Sequence, residues 1–184
     1  MNNHKFDVKK LNKLNNPERL SLIDLDKIIE ELQLPKDSTI VDIGIGTGIF
    51  SEAFLSKLPN SKGLGFDISE DMIKWVKENR KDASTGRLSI AIMSENEIPL
   101  AENTADLVFM ITVHHELKDP VSLLKDAKRV LKNDGKLLIC DWKEGVHKHF
   151  VTKESILEDL DSSGFKNIKE LNNSNKLISL IATK

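Results

Sequence analysis

Nine residues constrain this chain more than any others: Val41-Asp42-Ile43-Gly44-Ile45-Gly46-Thr47-Gly48-Ile49. An apolar, β-branched run (Ile40, Val41, Ile43) meets three glycines, and a helix-compatible stretch from Ile49 to Leu58 follows, ending before Pro59. This reads as strand, tight turn, helix. Glycines let the backbone turn sharply and approach a ligand closely. The unit therefore predicts a parallel α/β sheet with a ligand at the edge where strands end. The ligand class is narrowed by spacing. The dinucleotide fingerprint is G-x-G-x-x-G, whereas this loop is G-x-G-x-G, with Ile at position 49. Asp42, two residues before Gly44, would repel a pyrophosphate. It suits a cationic ligand, through an ammonium group or a water. The lysine of a phosphate-cradling P-loop is also missing.

The rest of the chain keeps the βα rhythm. A helix is predicted over Asp24 to Leu32, stopped by Leu34-Pro35, and the buried strand Ile40–Ile43 follows. Gly63–Asp67, Leu88–Ile92 and Leu107–Ile111 read as strands two, three and four. Ser69 caps a helix with Glu70 and Asp71 in its first turn, where the dipole favours acids. Asp119-Pro120 opens another, with Val121, Leu124, Ala127, Val130 and Leu131 as its buried face and Asn133-Asp134-Gly135 as its end. Lys136–Cys140 is strand five, and Thr152–Ser163 a helix closed by Gly164. Ile168–Leu171 and Leu177–Ile181 are joined by five polar residues, which makes them an antiparallel hairpin. Residues 1–35 form a leader and helix ahead of a domain over 36–184.

Composition bounds the alternatives. The chain has 184 residues, 39% hydrophobic and 30% charged, which suits one globular domain. Its 27 basic and 29 acidic residues leave a net charge of −2, so nucleic acid is not the expected partner. Cys140 is the single cysteine, which excludes an internal disulfide and suits a reducing cytoplasm. No apolar run reaches ~18 residues, so no membrane insertion is expected.

Asp67 lies nineteen residues after Gly48, at the end of the second strand. An acid there can accept both hydroxyls of an adenosine ribose; alone, it is equally a helix-start acid. With the loop in register, the segment Asp42–Gly48, Asp67 and the strand Ala105-Asp106-Leu107-Val108 resemble motifs of class I S-adenosylmethionine-dependent methyltransferases. The resemblance runs from about residue 36 to the end. It implies a Rossmann-like seven-stranded sheet of order 3-2-1-4-5-7-6, strand seven antiparallel, with helices on both faces. A narrower resemblance covers nearly the whole chain. It rests on His4-x-Phe6-Asp7, Lys13-Leu14, Pro17-x-Arg19-Leu20, Ser94-Glu95, Ile98-Pro99-Leu100, His115-Glu116-Leu117 and Asp141-Trp142-Lys143. These are similar to a small bacterial and archaeal group related to the ubiquinone/menaquinone-biosynthesis methyltransferases.

The resemblance implies roles. Gly44, Gly46, Thr47 and Gly48 would line the methionine end of S-adenosylmethionine, with Asp42 near its ammonium and Asp67 on the ribose. Ile68 and Met72 would pack on adenine, Ser94 and Glu95 would meet its edge, and Ile111 would offer backbone contacts. Ser94 departs from the commoner Asp, which predicts a weaker hold on the adenine amine.

Methyl transfer from a sulfonium needs alignment and water exclusion more than a fixed triad. His115, Glu116 and Asp141, after strands four and five, are the candidate acid–base residues, His115 titrating near neutrality. The alternative is that the His pair and Glu116 only orient a loop. His4, Phe6, His114 and Trp142 are candidate acceptor-pocket residues. The leader is either a lid or a frayed end, and Trp142 either lines the pocket or covers core. No metal site is expected. The short stretch from Glu144 to Val151 leaves little chain for a substrate cover, which fits a small acceptor or a homodimer. The expected function is methyl transfer to a small molecule, releasing S-adenosylhomocysteine. The alternatives are a non-catalytic binding or scaffold protein of the same fold and, against the loop spacing, a nicotinamide-dependent reductase.

Overall fold

Strict alternation along the strands divides the buried residues into two cores. The computed structural model describes residues 8–184. In chain order these form α1 (Val8–Leu14), a 3-10 turn (Pro17–Leu22), α2 (Leu25–Leu32), β1 (Thr39–Ile43), α3 (Ile49–Lys57), β2 (Lys62–Asp67), α4 (Glu70–Asn79) and α5 (Lys81–Ser84). There follow β3 (Leu88–Ile92), β4 (Ala105–Ile111), a second 3-10 turn (His114–Glu116), α6 (Pro120–Val130), β5 (Leu131–Trp142), α7 (Lys153–Ser162), β6 (Lys166–Glu170) and β7 (Leu177–Thr183). The seven strands lie in the order β3-β2-β1-β4-β5-β7-β6. Strands β1 to β5 pair in parallel, and β7 runs antiparallel to both β5 and β6. The expected topology is therefore present.

Successive side chains of a strand point to opposite faces. Val41 and Ile43, Val108 and Met110, Leu137 and Ile139 fall in one core with Leu123, Leu124, Ala127 and Val130 of α6 and Ile156 and Leu160 of α7. Ile40, Leu107, Phe109, Ile111, Leu138 and Cys140 fall in the other, under α2, α3 and α4. The rings of Phe54 and Phe109 stack there at 4.6 Å. Each such fully buried aromatic contributes about 1.5–3 kcal/mol of transfer free energy. Leu22, Ile23, Ile28 and Leu32 belong to this second core, so the stretch before β1 is packed into the body of the protein. Among the described residues no helix is long and apolar enough to cross a membrane.

The caps follow the side-chain chemistry. Asp24, Ser69, Asp119 and Thr152 each accept from a backbone amide of the first turn they precede. One boundary differs from the sequence expectation. Asn133-Asp134-Gly135 does not end α6, which stops at Val130; these residues lie inside β5. Leu131 already pairs with Ala105, and the register then shifts so that Leu107 meets Lys136. The turn-forming residues build this irregularity. A Cβ on Gly135 would lie 2.9 Å from Lys132 O, so only glycine fits.

Candidate functional site

The carboxyl ends of β1, β2, β4 and β5 meet along one sheet edge, where the β1–α3 loop turns over. Gly44, Gly46 and Gly48 have φ of +69°, +52° and +71°, in the left-handed region that glycine enters without strain. The amides of Gly44 and Ile45 donate to the carbonyl of Phe66 at 2.8 and 2.9 Å, tying the loop to β2. A Cβ on Gly44 would lie 2.7 Å from Val113 Cγ2, so the segment after β4 presses directly on the loop.

Asp42 shares the β1 face of Ile40, not that of Val41 and Ile43, and so points under α3. Its carboxylate accepts from Ser51 Oγ at 2.6 Å. Burial raises its pKa from 3.8 to about 8; the Ser51 bond opposes the shift and the charge of Asp67 adds to it. A cation brought beside it would favour its ionised form. Asp67 ends β2 and spreads its carboxylate between two turns: Oδ2 accepts from Gly46 N and Oδ1 from Ser69 N, each at 2.9 Å. These bonds fix the orientation of the carboxylate at the end of β2. Ile68, the next residue, is 61% exposed, whereas Met72 and Ile111 are buried. Ser94 and Glu95 are exposed, and Glu95 pairs with Lys118 at 2.6 Å, across the loops after β3 and β4.

His115 and Asp141 come together. Asp141 is fully buried near the end of β5. Its Oδ1 lies 2.7 Å from His115 Nδ1, and its Oδ2 accepts from the His115 backbone amide at 3.0 Å. Trp142 N also donates to Oδ1, at 2.7 Å. The hydrogen bond from Asp141 raises the pKa of His115, and burial works against it. With Nδ1 on Asp141, Nε2 is the ring's second nitrogen, 3.9 Å from Oε1 of the exposed Glu116; the His115 side chain itself is only 6% exposed. Trp142 is half-buried against the α2–α4 core. Its ring also stacks on His147 at 5.0 Å, and the His147 ring lies 6.0 Å from that of His115.

The adjacent histidines part company. His114 is buried, its Nε2 2.9 Å from Asp159 Oδ2 on α7, and its Nδ1 has no hydrogen-bond partner among the described residues. His4 and Phe6 lie outside the described residues. Among the described residues, no cluster of three His, Cys, Asp or Glu side chains is arranged to hold a metal ion. A groove of about 550 Å³ between α4 and β3, lined by residues such as Ile73, Lys74 and Ile92, lies apart from both the glycine loop and His115.

Sequence reasoning gave no role to Arg19, Arg80, Thr112 or His147. Thr47 Oγ1 donates to Leu14 O at 3.0 Å, and Arg80 joins Thr47 O, Glu52 and Asn15. The stretch before β1 is thereby fastened to the glycine loop. Arg19 reaches Thr112 Oγ1 at 2.9 Å, and Thr112 has φ of +58°. His147 joins Trp142. Only Arg19 had left a trace, in the Pro17-x-Arg19-Leu20 resemblance; the others are surface-type residues whose partners are distant in sequence.

Known proteins share these features. A family model described as a methyltransferase domain matches residues 41–139. The chain is 24% identical over 151 residues to the malonyl-[acyl-carrier protein] O-methyltransferase of Methylococcus capsulatus, covering 73% of this chain and 54% of that protein. It is 27% identical over 116 residues to a ubiquinone/menaquinone biosynthesis C-methyltransferase of Citrifermentans bemidjiense, covering 62% and 49%. The chain thus spans about half the length of these curated relatives. A crystal structure of a SAM-dependent methyltransferase from Aquifex aeolicus superposes with a TM-score of 0.86 at 27% identity, covering 97% of this chain and 98% of that one. A structure from Methanococcus maripaludis does so at 0.80 and 22%, covering 100% and 96%. With the loop, the strand order and residues 41–139 all in agreement, the chain belongs to the methyltransferase domain family and has the fold of S-adenosylmethionine-dependent methyltransferases.

Proposed function

We propose that this protein binds S-adenosylmethionine and transfers its methyl group to a small acceptor whose reacting atom has a proton to lose. The observation that carries the reading is the His115–Asp141 pair at 2.7 Å, set at the same strand edge as the glycine loop. The residues fit the cofactor. The left-handed glycines bring bare backbone to the methionine end, buried Asp42 suits its ammonium, Asp67 presents a carboxylate at the end of β2 for the ribose, and exposed Ile68 offers an apolar face for adenine. Bound there, the cofactor supplies a methyl group already activated by a sulfonium charge.

The protein's own part is to align the acceptor, exclude water and take its proton. Asp141 orients His115 through the ring and the backbone amide, which leaves Nε2 as the basic atom. Nε2 would accept the acceptor's proton as the acceptor atom bonds to the methyl carbon and that carbon parts from sulfur, leaving a neutral thioether, and Asp141 would stabilise the resulting imidazolium. Glu116, exposed beside Nε2, passes the proton to solvent. A carboxylate acceptor is already ionised at neutral pH and needs no base. The pair therefore favours an O–H, N–H or acidic C–H group.

Isothermal titration of the purified protein with S-adenosylmethionine, S-adenosylhomocysteine and NADH tests the first half. Micromolar binding of the first two alone is expected. Binding of NADH instead would point to a nicotinamide enzyme. An acceptor screen for S-adenosylhomocysteine release tests the second half; cofactor binding without turnover across broad acceptor classes would favour a scaffold.

A further inference from the structure

Arg19 sits in the Pro17–Leu22 turn, which Asn16 caps by accepting from Glu18 N. The turn carries its guanidinium into the crevice between the first turn of α3 and the segment after β4. There the group lies 5.6 Å from the ring centroid of buried Phe50 and, among the described residues, donates one hydrogen bond, to Thr112 Oγ1. A guanidinium has five N–H donors. No carboxylate among the described residues pairs with this one, and burial lowers its pKa. The other arginines of this half of the protein differ: Arg80 has Glu52, and Arg87 has Asp82. Thr112 is itself held at φ +58°, a region that β-branched residues rarely enter, by its N–H on Cys140 O at 2.7 Å. Its neighbour Val113 lies against Gly44. A half-buried cation with no counter-charge among the described residues thus faces the place where the glycine loop and β4 converge, while Asp42, a buried acid, lies beneath the same loop.

We propose that Arg19 binds the α-carboxylate of the cofactor's methionine end, opposite the ammonium that Asp42 attracts. The assignment rests on the cofactor reading above. A zwitterionic amino-acid end needs one group of each sign, and the planar guanidinium fork matches a carboxylate through two parallel N–H···O bonds. The fastening of Leu14 and Asn15 to Thr47 and Arg80 holds the turn in register with the loop. The segment before the family-matched residues 41–139 thereby supplies half of the recognition of the methionine end.

The test is a titration of the full chain with S-adenosylhomocysteine, its decarboxylated analogue and 5′-methylthioadenosine, which lacks the whole amino-acid end. Wild type is expected to bind S-adenosylhomocysteine about 10- to 100-fold more tightly than the decarboxylated analogue. Arg19→Gln is expected to bind these two alike and to keep wild-type affinity for 5′-methylthioadenosine, a result that loss of folding or of site shape does not give. Arg19→Lys, with charge but no fork, is expected to retain part of the preference. A preference surviving intact in Arg19→Gln would overturn the assignment. So would a wild type that binds 5′-methylthioadenosine yet ignores the carboxylate, a comparison that needs no variant. Failure of wild type to bind any of the three overturns the cofactor reading itself and this assignment with it.

Discussion

Asp141 holds His115 at two points, ring Nδ1 at 2.7 Å and backbone amide at 3.0 Å, so one buried carboxylate sets both the place and the basicity of the imidazole. The hydrogen bond from Asp141 raises the His115 pKa above its ordinary 6.5. The linkage sign follows: the pair's stabilisation is complete below about 6.5 and is lost as pH rises through the folded value. We expect NMR titration to place the His115 midpoint above 6.5 in wild type, and Asp141→Asn to move it down. Turnover should fall about 10²-fold or more in His115→Ala, with binding of S-adenosylhomocysteine intact. Unchanged turnover would make His115 a loop-orienting residue.

Burial of Asp42 gives stability a pH dependence opposite in sign to that of an ion-paired surface acid. Its carboxyl is raised to about 8, so the folded protein holds a proton there that the unfolded chain releases near 3.8. Its contribution to the stability of the ligand-free protein is therefore full below about 3.8 and lost as pH rises through 8. Asp42→Asn should melt progressively higher than wild type between pH 6 and about 9. The same variant should bind S-adenosylhomocysteine more weakly, and without the rise in affinity toward pH 8 expected of wild type. Parallel melting curves at every pH would refute the raised value.

For Asp67, Ala removes acceptors from Gly46 N, Ser69 N and the ribose together. We expect Asp67→Ala to weaken S-adenosylhomocysteine binding by roughly 10-fold or more and to cost about 1–3 kcal/mol of stability. Calorimetric titration and urea unfolding measure the two separately. Normal affinity in the folded variant would remove Asp67 from the site.

Gly44 and Gly86 separate backbone strain from collision. Both have positive φ, +69° and +77°, but a Cβ on Gly86 meets nothing within 4 Å, whereas one on Gly44 meets Val113 at 2.7 Å. Gly86→Ala should cost about 1–2 kcal/mol, the left-handed penalty alone. Gly44→Ala should cost more and weaken cofactor binding, because Val113 and the segment leading to His115 must move. Equal costs in urea unfolding would mean that Val113 yields freely.

Much of this was legible in the chain. Periodicity and caps are local physics, so the strands, the glycine turn and the caps at Ser69 and Asp119 could be read from neighbours a few residues apart. The end of α6 could not. Asn133-Asp134-Gly135 has the chemistry of a stop, but whether those residues close a helix or bend a strand depends on Ala105, which pairs with Leu131 from another part of the chain.

The sequence by itself determined the fold class, the strand edge where the glycine loop turns and the acid beneath that loop, because each follows from residue types at short spacing. Tertiary structure decided which charges meet. His114 and His115 are identical in type and adjacent, yet one reaches Asp159 and the other Asp141. Arg19 is one of many cations in the sequence, and only the packing of its turn over Phe50 and Thr112 leaves it half-buried with no carboxylate beside it among the described residues. Such pairings depend on distance and desolvation between segments far apart in the chain, and those quantities exist only once the sheet has assembled.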